Sequence, residues 1–201
     1  STGNILGIGL VVVCIMNNLK DYIVVLKNII PDELCDAILT EYSNSSIWTP
    51  AGVGSEGKAE KKIRNCDTIE ISQPFVIQNI KERVKIDAEM FKCASQCIEQ
   101  YNLKFKHSLI QEDTGYELLR YNEGQFYHEH VDSFLAAPRL VSCSFHLNGD
   151  YEGGEFGFFD REMKIKANKG DVVMFPSTFM YPHEIMPVTE GTRYSIITWY
   201  R

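Results

Sequence analysis

Histidine is scarce in this chain, with five residues in 201, at positions 107, 128, 130, 146 and 183. Any metal site built on imidazole must therefore draw on a very short list of ligands. Cysteine offers no second route. The six cysteines, Cys14, Cys35, Cys66, Cys93, Cys97 and Cys143, include no Cys-x-x-Cys pair, which argues against a zinc ribbon and against a dense disulfide scaffold. Cys93 and Cys97, four residues apart, share one helix face and read as buried thiols. Nothing asks for an oxidising compartment, so a cytoplasmic location is expected. Basic charge is also short: 20 Lys and Arg against 27 Asp and Glu leave a net charge of -7. Nucleic-acid modules usually carry a basic footprint, so no nucleic-acid partner is expected. The apolar run from Ile5 to Met16 falls short of the roughly 18 residues read as a membrane span, and no Lys or Arg precedes it. No membrane partner is expected, and the Val and Ile content of the run suits a buried strand.

What is present is an ordinary globular composition. At 44% hydrophobic and 23% charged, the chain can bury one core and is short for two. Tyr22 to Leu26 reads as a strand leading into a helix over Ile30–Tyr42, opened by Pro31 or Asp32. Residues 49–62 combine glycine and proline breaks with several charges and predict a surface loop of the kind that covers binding sites. Ile69-Glu-Ile-Ser alternates like a strand. Pro74 to Tyr101 predicts one long helix with Phe75, Ile77, Ile80, Val84, Ala88, Phe91, Ala94 and Ile98 near one apolar stripe. From residue 117 onward, short runs rich in Val, Ile, Phe, Tyr and Thr alternate with Gly, Asn, Asp and Pro. They predict strands at 117–121, 126–132, 140–147, 154–159, 162–167, 171–175, 182–188 and 192–200. A strand about every ten residues is the spacing of a sandwich, jelly roll or barrel. Helices first and strands second place helices on one face of a β core, an α+β, mainly β class.

The densest cluster of ligand-type residues is Tyr127-His-Glu-His-Val-Asp132. If extended, it projects His128, His130 and Asp132 to one face. A His and an Asp two apart, joined by a distant His, make the two-histidine, one-carboxylate triad that leaves coordination positions open for reactants. His183, in Tyr181-Pro-His-Glu-Ile, is the candidate third ligand. Ten residues on, Arg193 stands in a run that reads as strand. A cation there needs a partner, and a guanidinium fork suits a carboxylate, either a protein Asp or Glu or that of a small acid.

These residues sit in ordered motifs: Leu119-Arg-Tyr-Asn-Glu-Gly-Gln-Phe-Tyr-His-Glu-His-Val-Asp132, His146-Leu-Asn148, Gly153-Gly-Glu155, Gly170-Asp-Val-Val-Met-Phe-Pro176, His183, and Gly191-Thr-Arg-Tyr-Ser195. With them the chain resembles the iron(II)- and 2-oxoglutarate-dependent dioxygenases, in their prolyl 4-hydroxylase-like branch. The resemblance runs from about Glu117 to Tyr200 and more weakly over 30–42. It implies a double-stranded β-helix (jelly roll) over 117–201, with 1–116 as helical support and substrate loop in a single domain. It further implies that His130, Asp132 and His183 hold Fe(II) and act as the catalytic centre, while Arg193 pairs with the distal carboxylate of 2-oxoglutarate and Tyr121 donates its hydroxyl to it. Tyr127 and Trp199 match positions near the substrate ring. The implied reaction consumes O2 and 2-oxoglutarate, gives succinate and carbon dioxide, and hydroxylates an unactivated C–H bond. The expected substrate is a prolyl residue of a peptide or protein, with ascorbate as a supporting reductant. Hydroxylation of another amino acid or small molecule, or a cupin-like metal-binding module without catalysis, is the alternative.

The pattern departs from the family at three places. His146 stands where relatives have Tyr before Leu-Asn, which leaves it either a contact to 2-oxoglutarate or a core residue. Phe156 follows Gly-Gly-Glu where Thr is usual, and His128 is additional. Tyr121 also reads as a core aromatic, and Arg64 reads as a surface residue.

Overall fold

The computed structural model describes residues 18–54, 57–72 and 80–201. The apolar run 5–16 and residues 74–79 of the expected long helix lie outside the described residues. The N-terminal elements are a 3-10 turn at Leu19–Tyr22, β1 (Val24–Leu26), α1 (Asp32–Tyr42), β2 (Thr49–Pro50), β3 (Gly52–Val53), β4 (Lys58–Ala59), β5 (Arg64–Asn65), β6 (Asp67–Glu70) and α2 (Lys81–Lys104). There follow β7 (Glu117–Asn122), β8 (Phe126–His130), β9 (Val141–His146), β10 (Glu152–Gly153), β11 (Phe156–Phe158), β12 (Met163–Ile165), β13 (Val172–Pro176), β14 (His183–Ile185), β15 (Val188–Glu190) and β16 (Thr192–Tyr200).

Most of the described strands lie in two sheets, while β3 with β4 and β10 with β15 form two-stranded sheets of their own. The larger has the order β1-β13-β9-β16-β7-β6-β2 and the smaller β12-β11-β14-β8-β5, with antiparallel neighbours in both. Eight strands wound in this way form the double-stranded β-helix, or jelly roll, that the spacing predicts. The N-terminal strands extend both sheets: β1, β6 and β2 join the larger and β5 the smaller.

Side-chain alternation divides the larger sheet into two faces with different tasks. Val141, Cys143 and Phe145 of β9, Leu118 of β7, Val172 and Met174 of β13 and Ile196 of β16 pack outward against the helices. Leu119 and Tyr121 of β7 and Val173 and Phe175 of β13 point inward, where they meet Phe156, Phe158, Ile165 and Ile185 of the smaller sheet. The inward residues of β9 and the first two of β16 are polar: Ser142, Ser144, His146, Arg193 and Ser195 are all buried. Such groups do not make a greasy core, and their place between the sheets marks the site.

Pro31 caps α1 with φ -57, the angle its ring imposes, and Asp32 and Glu33 fill the first turn, where the helix dipole favours acidic groups. Cys35, Ile38 and Tyr42 form its buried stripe. In α2 the predicted stripe is borne out only at Ala94 and Ile98, whereas Val84 is 46% and Phe91 61% exposed. The buried face runs instead through Ile86, Met90, Cys93, Ala94, Cys97 and Tyr101. Small residues at 93, 94 and 97 let the helix approach the sheet so closely that the Tyr200 hydroxyl donates to the Ala94 carbonyl at 3.1 Å. Close packing of small side chains won over the bulkier stripe.

The expected Gly-Gly turn has a specific task. Gly153 and Gly154 take φ of +71° and +66°, and a Cβ on Gly154 would lie 2.9 Å from Cδ of Arg193. The missing side chain is the space the arginine occupies. Gly154→Ala is expected to lower stability by about 1–3 kcal/mol through left-handed strain and to displace Arg193, as thermal unfolding and anion-binding titrations would record.

Candidate active site

His130 and His183 are direct cross-strand partners on β8 and β14. Their spacing is therefore set by the ladder. Three residues of β14 (His183 to Ile185) are matched by four of β8 (Tyr127 to His130), so the ladder shifts register there. This bulge breaks the simple alternation predicted for 126–132. His128 and Glu129 are exposed, whereas Tyr127 and His130 turn to the same side and stack, with ring centroids 3.5 Å apart and an interplanar angle of 15°. Asp132 lies past the end of the strand yet reaches the same point. His128→Ala is accordingly expected to leave metal affinity within about twofold of the parent in a Co(II) titration, because surface changes away from a site are nearly neutral.

The three side chains converge: the Asp132 carboxylate has Oδ1 3.3 Å from Nε2 of His130 and Oδ2 3.7 Å from Nε2 of His183. One ligand atom from each residue lies within 4.8 Å of the other two, a group that could hold a metal ion. Each imidazole is oriented through its other nitrogen: Nδ1 of His130 pairs with the His128 carbonyl at 2.8 Å, and Nδ1 of His183 with the Tyr181 carbonyl at 3.1 Å. A carbonyl only accepts, so Nδ1 donates to it and Nε2 is the nitrogen that faces Asp132. Burial pushes the His183 imidazole down to about 4, with His130 adding to the effect and Asp132 opposing it. Burial would raise the Asp132 carboxyl, but His183, His130 and a hydrogen bond from Ser142 hold it well below the usual carboxylate range. At neutral pH His183 is thus neutral and Asp132 ionised, the states that metal ligation requires.

The triad opens into a cavity of about 670 Å³ whose lining includes Tyr121, Tyr127, Arg193, Ser195 and Trp199. Arg193 is 1% exposed. Its Nη1 donates to Ser195 Oγ at 2.9 Å, while Nε and Nη2 have no partner. A buried guanidinium with one hydrogen bond to a neutral hydroxyl and the Tyr121 and Phe156 rings 5.2 and 5.6 Å away is an unbalanced charge with two unpaired donors. The Tyr121 hydroxyl, Ser144 Oγ and Thr198 Oγ1 are likewise buried and unpaired in that cavity. Burial raises the Tyr121 phenol well above its ordinary value, so it stays a donor. No protein Asp or Glu pairs with Arg193 among the described residues.

His146 does not line the cavity. Its buried ring stands edge-on to Phe156 at 6.0 Å, neither nitrogen is paired, and burial, with Arg193 and Lys27 adding, holds it neutral. Trp199 is half-buried under the Arg139 guanidinium, 3.4 Å from the ring centroid. Arg139 also donates to the Asp132 carbonyl at 3.0 Å. Arg64, read from the sequence as a surface residue, is only 8% exposed; it donates to the Gly52 carbonyl at 2.8 Å, reaches Glu117 at 3.5 Å and lies over the Tyr127 ring. The loop 49–62 does reach the site, since Thr49, Pro50, Gly52, Val53, Gly54 and Gly57 line the cavity. Arg139 and Ser142 went unread because neither sits in a ligand-like cluster. The serines at 142 and 144 between Val141, Cys143 and Phe145 were the legible sign of a polar inner face.

Residues 116–201 match the family model of the 2OG-Fe(II) oxygenase superfamily. A PKHD-type hydroxylase of Idiomarina loihiensis is 35% identical over 86 residues, 40% of this chain and 38% of that protein, so the match spans under two fifths of the relative's length. Among solved structures, a prolyl hydroxylase from Trichoplax adhaerens, in complex with a hypoxia inducible factor oxygen degradation domain peptide fragment, superposes with a TM-score of 0.74. It is 20% identical, with 89% of this chain and 83% of that one covered. A Pseudomonas putida prolyl-4-hydroxylase gives a TM-score of 0.65 at 20% identity, with 90% and 92% covered. At such identity these two structures bear on the fold, which they share. Among the described residues no helix is long and apolar enough to cross a membrane.

Proposed function

We propose that the chain is an Fe(II)- and 2-oxoglutarate-dependent hydroxylase whose substrate is a prolyl residue in a peptide or protein, oxidised at C4. The observation that carries the reading is the buried, half-satisfied Arg193 in the same cavity as the His130, Asp132 and His183 cluster. The donor set fits the group: two neutral imidazole nitrogens and one carboxylate suit ferrous iron with positions left over. Bound there, Fe(II) with 2-oxoglutarate and O2 supplies the oxidant for a C–H bond, with succinate and carbon dioxide as coproducts.

The chain's own residues do the rest. Arg193 clamps the distal carboxylate through Nε and Nη2, a two-point contact that fixes the acid's direction as well as its charge. Tyr121 donates its phenol to the same carboxylate. His146 acts on this pocket through Phe156. Tyr127, flat against His130, and Trp199, under Arg139, flank the entrance and offer aromatic faces to a pyrrolidine ring. The residues of loop 49–62 that line the cavity give an extended peptide a second wall. The Trichoplax adhaerens neighbour, described with a peptide fragment, supports a peptide substrate. Ascorbate serves as the reductant that keeps the iron ferrous. The five described cysteines are all free and buried, which suits a reducing compartment such as the cytoplasm.

The test is 2-oxoglutarate turnover coupled to a peptide library read by mass spectrometry for the gain of one oxygen atom, residue by residue. Oxygen gained at proline supports the proposal. Gain at another residue replaces the substrate and keeps the chemistry, whereas absence of succinate with every substrate defeats the oxygenase reading itself.

A further inference from the structure

Asp132 stands outside the strands, so something other than a ladder must hold its carboxylate. Two buried serines do so. Ser142 Oγ donates to Asp132 Oδ2 at 2.6 Å, and Ser142 Oγ lies 2.8 Å from Ser177 Oγ. Ser142 is 3% and Ser177 1% exposed. A hydroxyl carries one hydrogen, and that of Ser142 is committed to the carboxylate. The second contact therefore runs from Ser177 to Ser142, and the chain of donors has a single direction: Ser177, Ser142, Asp132. The backbone fastens its far end: Ser133 N donates to the Ser177 carbonyl at 3.0 Å, and Ser177 N donates to the Leu140 carbonyl at 3.0 Å. Ser142 and Ser177 thus belong to the strands and turns that bracket the segment carrying Asp132.

We infer that Ser142 and Ser177 are positioning residues that keep Asp132 a one-oxygen ligand. Oδ2 is taken by the serine relay, and Oδ1, 3.3 Å from Nε2 of His130, is left for the metal. A carboxylate is able to chelate with both oxygens, and one that did so here would occupy a coordination position the reactants need. Polarisation along a hydrogen-bonded chain strengthens its final link, so Ser177 acts on the carboxylate without touching it. The inference rests on the metal reading of the triad and adds to it which oxygen binds and what enforces the choice.

Anaerobic Co(II) titration of the metal-free protein, followed by its visible absorption, tests this without catalysis. Ser142→Ala is expected to weaken Co(II) binding by about tenfold or more, the usual effect of losing a ligand's hydrogen-bond partner, and to change the absorption bands as the carboxylate rotates into two-oxygen contact. Ser177→Ala should have a smaller effect of the same kind. The double variant should match Ser142→Ala, because Ser177 works only through Ser142. Ser142→Thr, which keeps the hydroxyl, should restore the parent spectrum. Parent-like affinity and bands in Ser142→Ala, or additive losses in the double variant, would overturn the proposal. Should Ser142→Ala fail to fold, Ser177→Ala and Ser142→Thr decide by the same bands. If the parent itself takes up no Co(II), the metal reading falls and the relay's role falls with it.

Discussion

Arg193→Met should raise the dissociation constant for 2-oxoglutarate by about 100- to 1,000-fold, the cost of removing one partner from a buried, hydrogen-bonded charge pair. Isothermal titration of the metal-loaded, oxygen-free protein would measure it. The same substitution should leave the ligand-free protein at least as stable as the parent. In that state Arg193 has no anionic partner, only a hydrogen bond to Ser195 and the faces of the Tyr121 and Phe156 rings, and removing an unbalanced buried charge does not cost folding energy the way breaking a satisfied pair does. Arg193→Lys should recover only part of the affinity, since an ammonium is a point charge and cannot reproduce the fork. A variant whose melting temperature collapses while 2-oxoglutarate binding persists would contradict this account.

Asp132→Ala is expected to reduce hydroxylation by about a thousandfold or more, since the metal contributes several kcal/mol and each 1.36 kcal/mol is a factor of ten. Retained turnover would show that the triad has been misassigned. The loss should appear first as lost metal: two imidazoles remain, but the anion that balances the dication is gone. No added acid or ligand should restore the visible band that Fe(II) with 2-oxoglutarate gives in the parent. Retention of that band would be as damaging to the assignment as retained turnover. The serine relay would then end on empty space, so Ser142→Ala in this background should have no further effect.

The strands from 117 onward were legible because each is short, alternating and bounded by glycine or polar breaks, and the jelly roll followed from their number and spacing. His130, Asp132 and His183 were legible as rare ligand types in ordered motifs. The face they share was read for the wrong reason: plain alternation would have included His128, and a one-residue bulge, which leaves no mark in composition, excludes it. In α2 the visible bulky stripe misled, because the packing face is chosen by how near the helix must come to the sheet, and Cys93, Ala94 and Cys97 allow the closest approach. Arg64 and Arg139 show a different limit. Both look like surface residues in isolation, and only the fold brings Arg64 to Glu117 and Gly52, or Arg139 over Trp199. Interactions between residues far apart in sequence are set by topology, which local pattern does not encode.

The pairing of His130 with His183 across one ladder has a consequence for how the protein would take up the proposed metal. Because backbone hydrogen bonds already hold both imidazoles in place, uptake of the ion resembles filling a finished socket more than casting one. The empty chain should remain fully folded, unlike a zinc finger, whose fold is bought with its ion. Such a socket accepts several divalent ions of similar size, so supply and exchange in the surrounding solution would govern which metal is present at a given moment. Activity could then be lost and regained by metal replacement alone, with no unfolding between the two states.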